Sequence, residues 1–391
     1  MRLGYNGYGK GLFYDSPLET LYLGRNLFYN TENEYGHSPF YSNKTLRSIT
    51  VTDSVTSIGY EAFCDCTSLT SVVFGDRVTS IGSYAFAGCT ALTDIEIPKS
   101  VTSIGSGVFK NCKGLTSVVI PNCVKVINSE AFYNCIGLTS IEIPNSVTII
   151  GGSAFSGCTG LTSVVIGDNV AEIRGNAFSG CTGLKEVHIN DLTAWCKIKF
   201  DYPQSQPLYY AQNLYLNGEK VTEFVISDSI TEIKDYAFYN CKGLTNIVIP
   251  DGFTSIGKSA FNSCNNVEAL YISNTIESIG DNAFAECKKI IDIKIGSKRA
   301  ITASENIFSI DAYNNACLYV PEGRKFAYEK TAPWNNFYIA EMDFTGIGEV
   351  YDEVKGENGK QKGACYDMQG RMVENPTNGI HIIDGKKVLV K

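Results

Sequence analysis

The chain has 391 residues, 44% of them apolar and only 19% charged, with a net charge of −8 and a pI near 5.1. That balance is enough to bury a long continuous core, and it argues against nucleic acid or an anionic membrane surface as the main partner. No apolar run approaches the roughly 18 residues needed to span a bilayer, so no transmembrane segment is expected.

The first residues, MRLGYNGYGKGLFYD, lack the apolar core of a signal peptide. They run directly into a pattern that later becomes regular. Leu12 and Phe13 stand where later copies carry Ala-Phe, ahead of an apolar strand over 18–23. No N-terminal cap for a stacked core is visible, so the chain is expected to be a fragment or to have a truncated start. The next strand, 46–51, begins 28 residues after the first, which makes the coil between them enlarged. Its aromatics Phe28, Tyr35, Phe40 and Tyr41 are expected to pack on the flank.

From Ser54 onward the sequence repeats itself. SVTSIGYEAFCDCTSLTSVVFGD (54–76) is followed by five near-copies ending at Asp191, and three more begin at Ser229, Gly252 and Thr275. The period is 23 residues. A fixed period of that size marks a solenoid, whose units cannot bury their own apolar faces and must stack. Within the first unit, Leu69, Val72 and Phe74 are expected to point inward from a strand. Val55 and Ile58 form a second apolar pair, Ala62-Phe63 a tight turn that fills the centre, and Cys66 closes the unit. In register, each position becomes a ladder with a rung spacing of about 4.8 Å.

The unit C-x-x-L-T-S-V-x-I-P-x-S-V-T-S-I-G-x-x-A-F resembles the BspA-like leucine-rich repeat of bacterial surface proteins. The resemblance covers most of 12–344. It implies a mainly β, curved, right-handed solenoid with a parallel sheet on one face and short strands or helical turns elsewhere. By this reading the solenoid spans 1–344: irregular coils over 1–53, regular repeats over 54–191, an enlarged coil over 192–228, repeats over 229–297, and a terminal coil with cap over 298–344.

Nine of the fourteen cysteines, from Cys66 to Cys287, recur at one position of the coil. Stacked side chains run parallel, whereas a disulfide needs converging Cβ vectors, so these thiols are expected to be buried and reduced. Cys64 and Cys66 form only a C-x-C pair and no C-x-x-C occurs, so neither a metal nor any other cofactor is expected.

Val187 and Phe224 are 37 residues apart, one period plus fourteen. The extra stretch, 192–220, carries Trp195, Phe200, Tyr202, Tyr209, Tyr210 and Tyr215. LTAWCKI is expected to be helical, YPQSQP a loop, and NLYLNGEKV a hairpin turned at Asn217-Gly218. Trp195, Tyr209 and Tyr210 are candidate binding anchors there, although the segment also resembles a module that recurs for packing in this family. After 290–295 the motif fades. A last strand at Leu318 and Val320 and a helix over 324–330 lead to a cap closed by Trp334, Phe337 and Ile339.

Residues 345–363 are polar and glycine-rich, as in a linker. The tail, 364–391, alternates like strands over 366–373 and 380–390, with a hairpin signal at Asp384-Gly385. YDMQGR and NGIHIIDGKKVLVK resemble a C-terminal sorting domain of type IX secretion. That resemblance implies a secreted protein, or one on the outer-membrane surface.

No catalytic pattern occurs: His37, His188 and His381 are scattered, and H-E-x-x-H, G-x-S-x-G and phosphate-loop motifs are absent. An enzyme is not expected. The outward columns of the strand face are the better candidates. One runs from Ser71 through Asp94, Ser117, Ser140, Ser163 and Glu186 to Asp292; the other from Val73 through Glu96, Val119, Glu142, Val165, His188, Val225, Val248 and Tyr271 to Lys294. Glu96, Glu142, Glu186, His188, Tyr271 and Lys294 are the ligand candidates on this face. The resemblance implies a monomeric adhesion or protein-binding module whose partner is a host or neighbouring-cell protein or glycan. A passive stalk displaying another domain and a carbohydrate-binding accessory module are the alternatives.

Overall fold

One column of phenylalanines runs the length of the molecule and shows how the coils stack. Phe13, Phe40, Phe63, Phe86, Phe109, Phe132, Phe155 and Phe178 follow each other with ring centroids 5.0–6.0 Å apart and nearly parallel planes. After an interruption, Phe238, Phe261, Phe284 and Phe308 continue it. The structure, a computed structural model, describes residues 11–27, 38–224, 226 and 230–344. In the tail it gives the backbone of the strands Cys365–Tyr366, Gly379–Ile383 and Lys386–Val390. Among the described residues it is a mostly β parallel solenoid of about 13 turns, with a few short helices. The expectations for the first ten residues, Phe28, Tyr35, His37, Val225 and 345–363 fall outside the described residues.

Three hydrogen-bonded ladders hold the coils together. On the strand face, parallel strands pair in register one period apart, as in Ser140–Ile143 with Ser163–Ile166. A second face carries two-residue strands, zipped without a break from Ser57–Ile58 to Lys199–Phe200. The third ladder runs through the Ala-Phe turns, where Phe63 N–H donates to Ala85 O at 2.8 Å and Asp65 N–H to Ala87 O at 2.7 Å. Each turn needs two left-handed residues. In the coil after Val101 these are Gly107 and Asn111, with φ near 60°, and Gly and Asn tolerate that region best.

The cysteine column lies inside the core. Apart from Cys241, each thiol of the column donates to the carbonyl of the phenylalanine 26 residues before it, as Cys112 does to Phe86 O at 3.1 Å and Cys158 to Phe132 O at 3.1 Å. All thirteen cysteines of the described residues are free. Burial pushes the Cys112 and Cys158 thiols up to about 12 and those of Cys89, Cys135 and Cys264 well above the ordinary value.

Several expectations need correction. Phe40 is not on the flank: it is buried and takes the central rung between Phe13 and Phe63. The stretch after 295 looks irregular, yet Phe284 N–H donates to Ile307 O at 2.9 Å, so Ile307-Phe308 fills the Ala-Phe rung. The 192–220 segment, expected as part of an enlarged coil, adds a rung of its own to the strand ladder. Its strand Leu214–Leu216 pairs with Glu186–Ile189, then turns at Asn217-Gly218 into Glu219–Lys220. Leu192–Cys196 is helical, with the Asp191 carboxylate accepting from Thr193 and Ala194 N–H. A further helix, Leu208–Ala211, stands between the expected loop and hairpin, where the sequence predicts no element.

In that coil, side chains do what backbone does elsewhere. The indole N–H of Trp195 donates to Ala237 O at 2.8 Å, and Gln206 Nε2 to the same oxygen at 3.0 Å. A phenylalanine N–H makes this bond in a regular coil. Likewise Gly180 N–H, which would meet the carbonyl of the next regular turn, donates to the Tyr210 hydroxyl at 2.8 Å.

At the C-terminal end, Trp334 is buried and donates to Ile301 O at 2.6 Å, and Phe337 and Ile339 pack beside it. The helix Lys325–Glu329 precedes them. In the tail, Gly379–Ile383 and Lys386–Val390 pair antiparallel; the turn expected at Asp384-Gly385 lies outside the described residues. Of the strand expected over 366–373, only Tyr366 lies within a described strand, Cys365–Tyr366, which pairs with the hairpin.

Candidate functional site: the strand face

The strand ladder opens at two places. The pair Asp94–Glu96 and Ser117–Val119 is hydrogen-bonded to itself but to neither neighbouring strand, Ser71–Val73 or Ser140–Ile143. Between the Ser117 and Ser140 strands the bonds at their base are long: Thr116 O accepts from Thr139 N–H at 3.4 Å and from the Thr139 hydroxyl at 3.5 Å. The other two ladders are continuous across these coils, so the opening is confined to the strand face.

Two adjoining grooves occupy these openings. The larger, about 580 Å³, is lined by Glu96, Val119, Glu142, Pro121, Cys123 and Lys99 among others. The smaller, about 530 Å³, includes Val73, Asp76, Glu96 and Lys99. Glu96 and Val119 are direct register partners, and alternation puts Glu142 in the same outward column on the next strand. Val119 is 68% exposed and Val73 56%. Glu96 and Glu142 are exposed and engage in no ion pair or hydrogen bond with the described residues. Cys123 lies with its sulfur 2.8 Å from the Lys99 carbonyl oxygen.

Further along, the face closes. Glu186 and His188 are tied to each other, Oε2 to Nε2 at 3.1 Å, and the His188 ring lies flat on Tyr215 at 4.9 Å. Val248 is buried. Phe344, leaving the last strand, places its ring 6.5 Å from Tyr271, whose phenol burial pushes up to about 12. Lys294, an outward candidate by alternation, is only 4% exposed. Its ammonium donates to Asp292 Oδ2 at 2.6 Å and lies 5.8 Å from the Tyr319 ring centroid. The structure therefore removes Lys294 from the accessible candidates, and Tyr271 is half-buried rather than an open anchor.

The enlarged coil also loses an anchor. Trp195 is 1% exposed and engaged with Ala237, so it cannot meet a ligand. Tyr210 is held by Gly180, and Tyr209 stacks on Tyr239 with centroids 5.8 Å apart. Of the nine candidates, the fold brings only Glu96 and Glu142 to one groove. Val119, Lys99 and Cys123 join them there. Among these, the cysteine replacing the usual serine of its column was a legible signal. Among the described residues no three His, Cys, Asp or Glu side chains are grouped to hold a metal, and no helix is long and apolar enough to cross a membrane.

With this geometry in hand, comparisons with known proteins place the repeats. The model of the BspA type leucine-rich repeat region matches in overlapping copies over 33–159, 103–202 and 210–316, well over half of the chain. Among solved structures, a leucine-rich cell surface protein from Faecalibacterium prausnitzii is 25% identical, with 71% of this chain and 87% of that one covered, at a TM-score of 0.34. A leucine-rich repeat protein from Bacteroides ovatus is 20% identical over 83% and 92% of the two chains, at 0.48. The pneumococcal vaccine antigen PcpA is 17% identical over 87% and 90%, at 0.43. No curated protein matches the chain significantly. The chain belongs to the BspA type leucine-rich repeat family.

Proposed function

We propose that this chain is a non-enzymatic binding module of the bacterial surface or exterior, which engages a macromolecule of a host or neighbouring cell through the open half of its strand face. The observation that carries this reading is the contrast along that face: open and grooved between the Ser71 and Ser140 strands, and crowded over Val248, Tyr271 and Lys294. A stalk has no use for such an opening. Membership of the BspA type leucine-rich repeat family supports the location.

A bulky charged residue in the groove tests it. Fluorescent protein carrying Val119→Arg should lose binding to intact target cells, while Ser103→Arg, exposed on the second strand ladder, should keep it. Equal binding by both variants would remove the strand face from the function.

The tail is read as a type IX sorting signal, supported by its wording and by the antiparallel pairing of Gly379–Ile383 with Lys386–Val390. Deleting 345–391 should leave the unfolding midpoint of the solenoid unchanged within about 0.5 kcal/mol, because the coils carry their own cap. In the native bacterium the same deletion should retain the protein inside the cell. Normal surface display without the tail would end the sorting proposal.

A further inference from the structure

The groove between the Ser117 and Ser140 strands has a chemistry that narrows its occupant. We infer that it takes an extended, lysine- or arginine-bearing segment of a partner protein, with one cationic side chain lying over Val119 and its head between Glu96 and Glu142. The inference rests on the strand face being the contact surface.

The two carboxylates flank Val119 on neighbouring strands, two coils apart, or roughly 9.6 Å by ladder spacing. That separation is too large for them to share one proton or hold one small ion directly. It suits a cation that enters between them on a long arm. Neither carboxylate has a partner among the described residues, so no pair seen there must be broken to receive one. Asp94, exposed on the same strand as Glu96, adds to the negative field.

Between the carboxylates the surface is apolar rather than polar, because Val119 is 68% exposed. Lysine and arginine match that pattern: they lay a methylene stem on apolar surface and keep a charged head in water. The groove exists because the ladder is unzipped there, and at about 580 Å³ it has room for a few side chains. A glycan is the poorer fit, since no aromatic ring lines this groove to stack against a sugar. An acidic partner would be repelled by Glu96, Glu142 and Asp94.

The test uses the full chain and two synthetic ten-residue peptides, one alternating Lys and Thr and the other Glu and Thr, titrated by fluorescence anisotropy. The Lys peptide should bind and the Glu peptide should not. E96Q/E142Q should weaken the Lys peptide about tenfold. The double variant E268Q/E277Q, which removes the same charge from exposed sites elsewhere, should leave it unchanged, and Val119→Ser should weaken it a few-fold. Circular dichroism checks that all variants fold. Equal loss in the two double variants would reduce the effect to net charge and overturn the site; so would failure of the Lys peptide to bind the unaltered chain. If the peptide fails while Val119→Arg still abolishes cell binding, the cationic chemistry falls and the strand-face function stands. If Val119→Arg leaves cell binding intact, the function itself falls.

Discussion

Raising the pH from 8.5 to about 10.5 should unfold this solenoid, because its buried thiols keep protons that exposed ones give up. In the unfolded chain a thiol titrates near 8.5. In the folded chain burial raises the Cys112 and Cys158 thiols to about 12 and Cys241 to about 11, with Cys66, Cys89, Cys135, Cys181 and Cys264 also raised. Between those values the unfolded state has lost protons that the folded state keeps, so stability falls as pH rises. It is fully present below about 8.5. Each thiol contributes a slope of up to about 1.4 kcal/mol per pH unit, and the ladder as a whole gives on the order of 10. Marginal stabilities of about 5–15 kcal/mol cannot survive two units of that. Burial also raises Tyr271 and Tyr313 to about 12, which adds to the slope above pH 10. Urea unfolding at half-unit steps from pH 7.5 to 10.5 measures the effect, and a midpoint constant across that range would refute it. A thiol reagent at pH 8 gives the companion result: slow labelling of the folded chain and extensive labelling in denaturant. Ladder cysteines found as disulfides would contradict both.

Trp195→Ala should be the most damaging single substitution in the enlarged coil, at about 3–5 kcal/mol. The indole is 1% exposed, packs 5.6 Å from the Phe200 ring, and supplies a donor to Ala237 that no alanine replaces. Because each coil touches only its neighbours, losing this junction should also uncouple the two blocks of repeats. A single urea transition should split in two, with the block before Leu192 and the block after Ile230 melting separately. Trp195→Phe keeps most of the volume, and Gln206 still donates to Ala237, so its cost should be about 1 kcal/mol. One cooperative transition in Trp195→Ala, displaced by less than about 0.5 kcal/mol, would show that the junction does not depend on this residue.

The regular coils were legible because every residue has a near-identical neighbour one period away. Leu115, Phe109 and Cys112 could be placed inside from their columns alone. Phe40 and Phe308 were not, since the words around them differ although the rungs they fill are the same. The role of Trp195 was hidden for another reason. Its bond to Ala237 spans 42 residues and replaces a backbone group, which leaves no local pattern. Lys294 was misplaced because alternation says only which way a side chain leaves the strand. It says nothing about whether Phe344 and Tyr319 crowd the same face. Glu96 and Glu142 could be proposed from the columns, but the unzipped ladder that makes a groove between them is a matter of backbone pairing.

The covering of the face near Lys294 gives gene duplication an unequal effect along the chain. A copied unit inserted between Ser54 and Asp168 lengthens the uncovered surface by about 4.8 Å. One inserted between Thr275 and Ile295 adds length only beneath Phe344. On the proposed strand-face reading, repeat arrays of this kind can therefore vary their reach toward a partner at one end while keeping a constant base at the other. Strains that differ in copy number should differ in the first block and agree in the last.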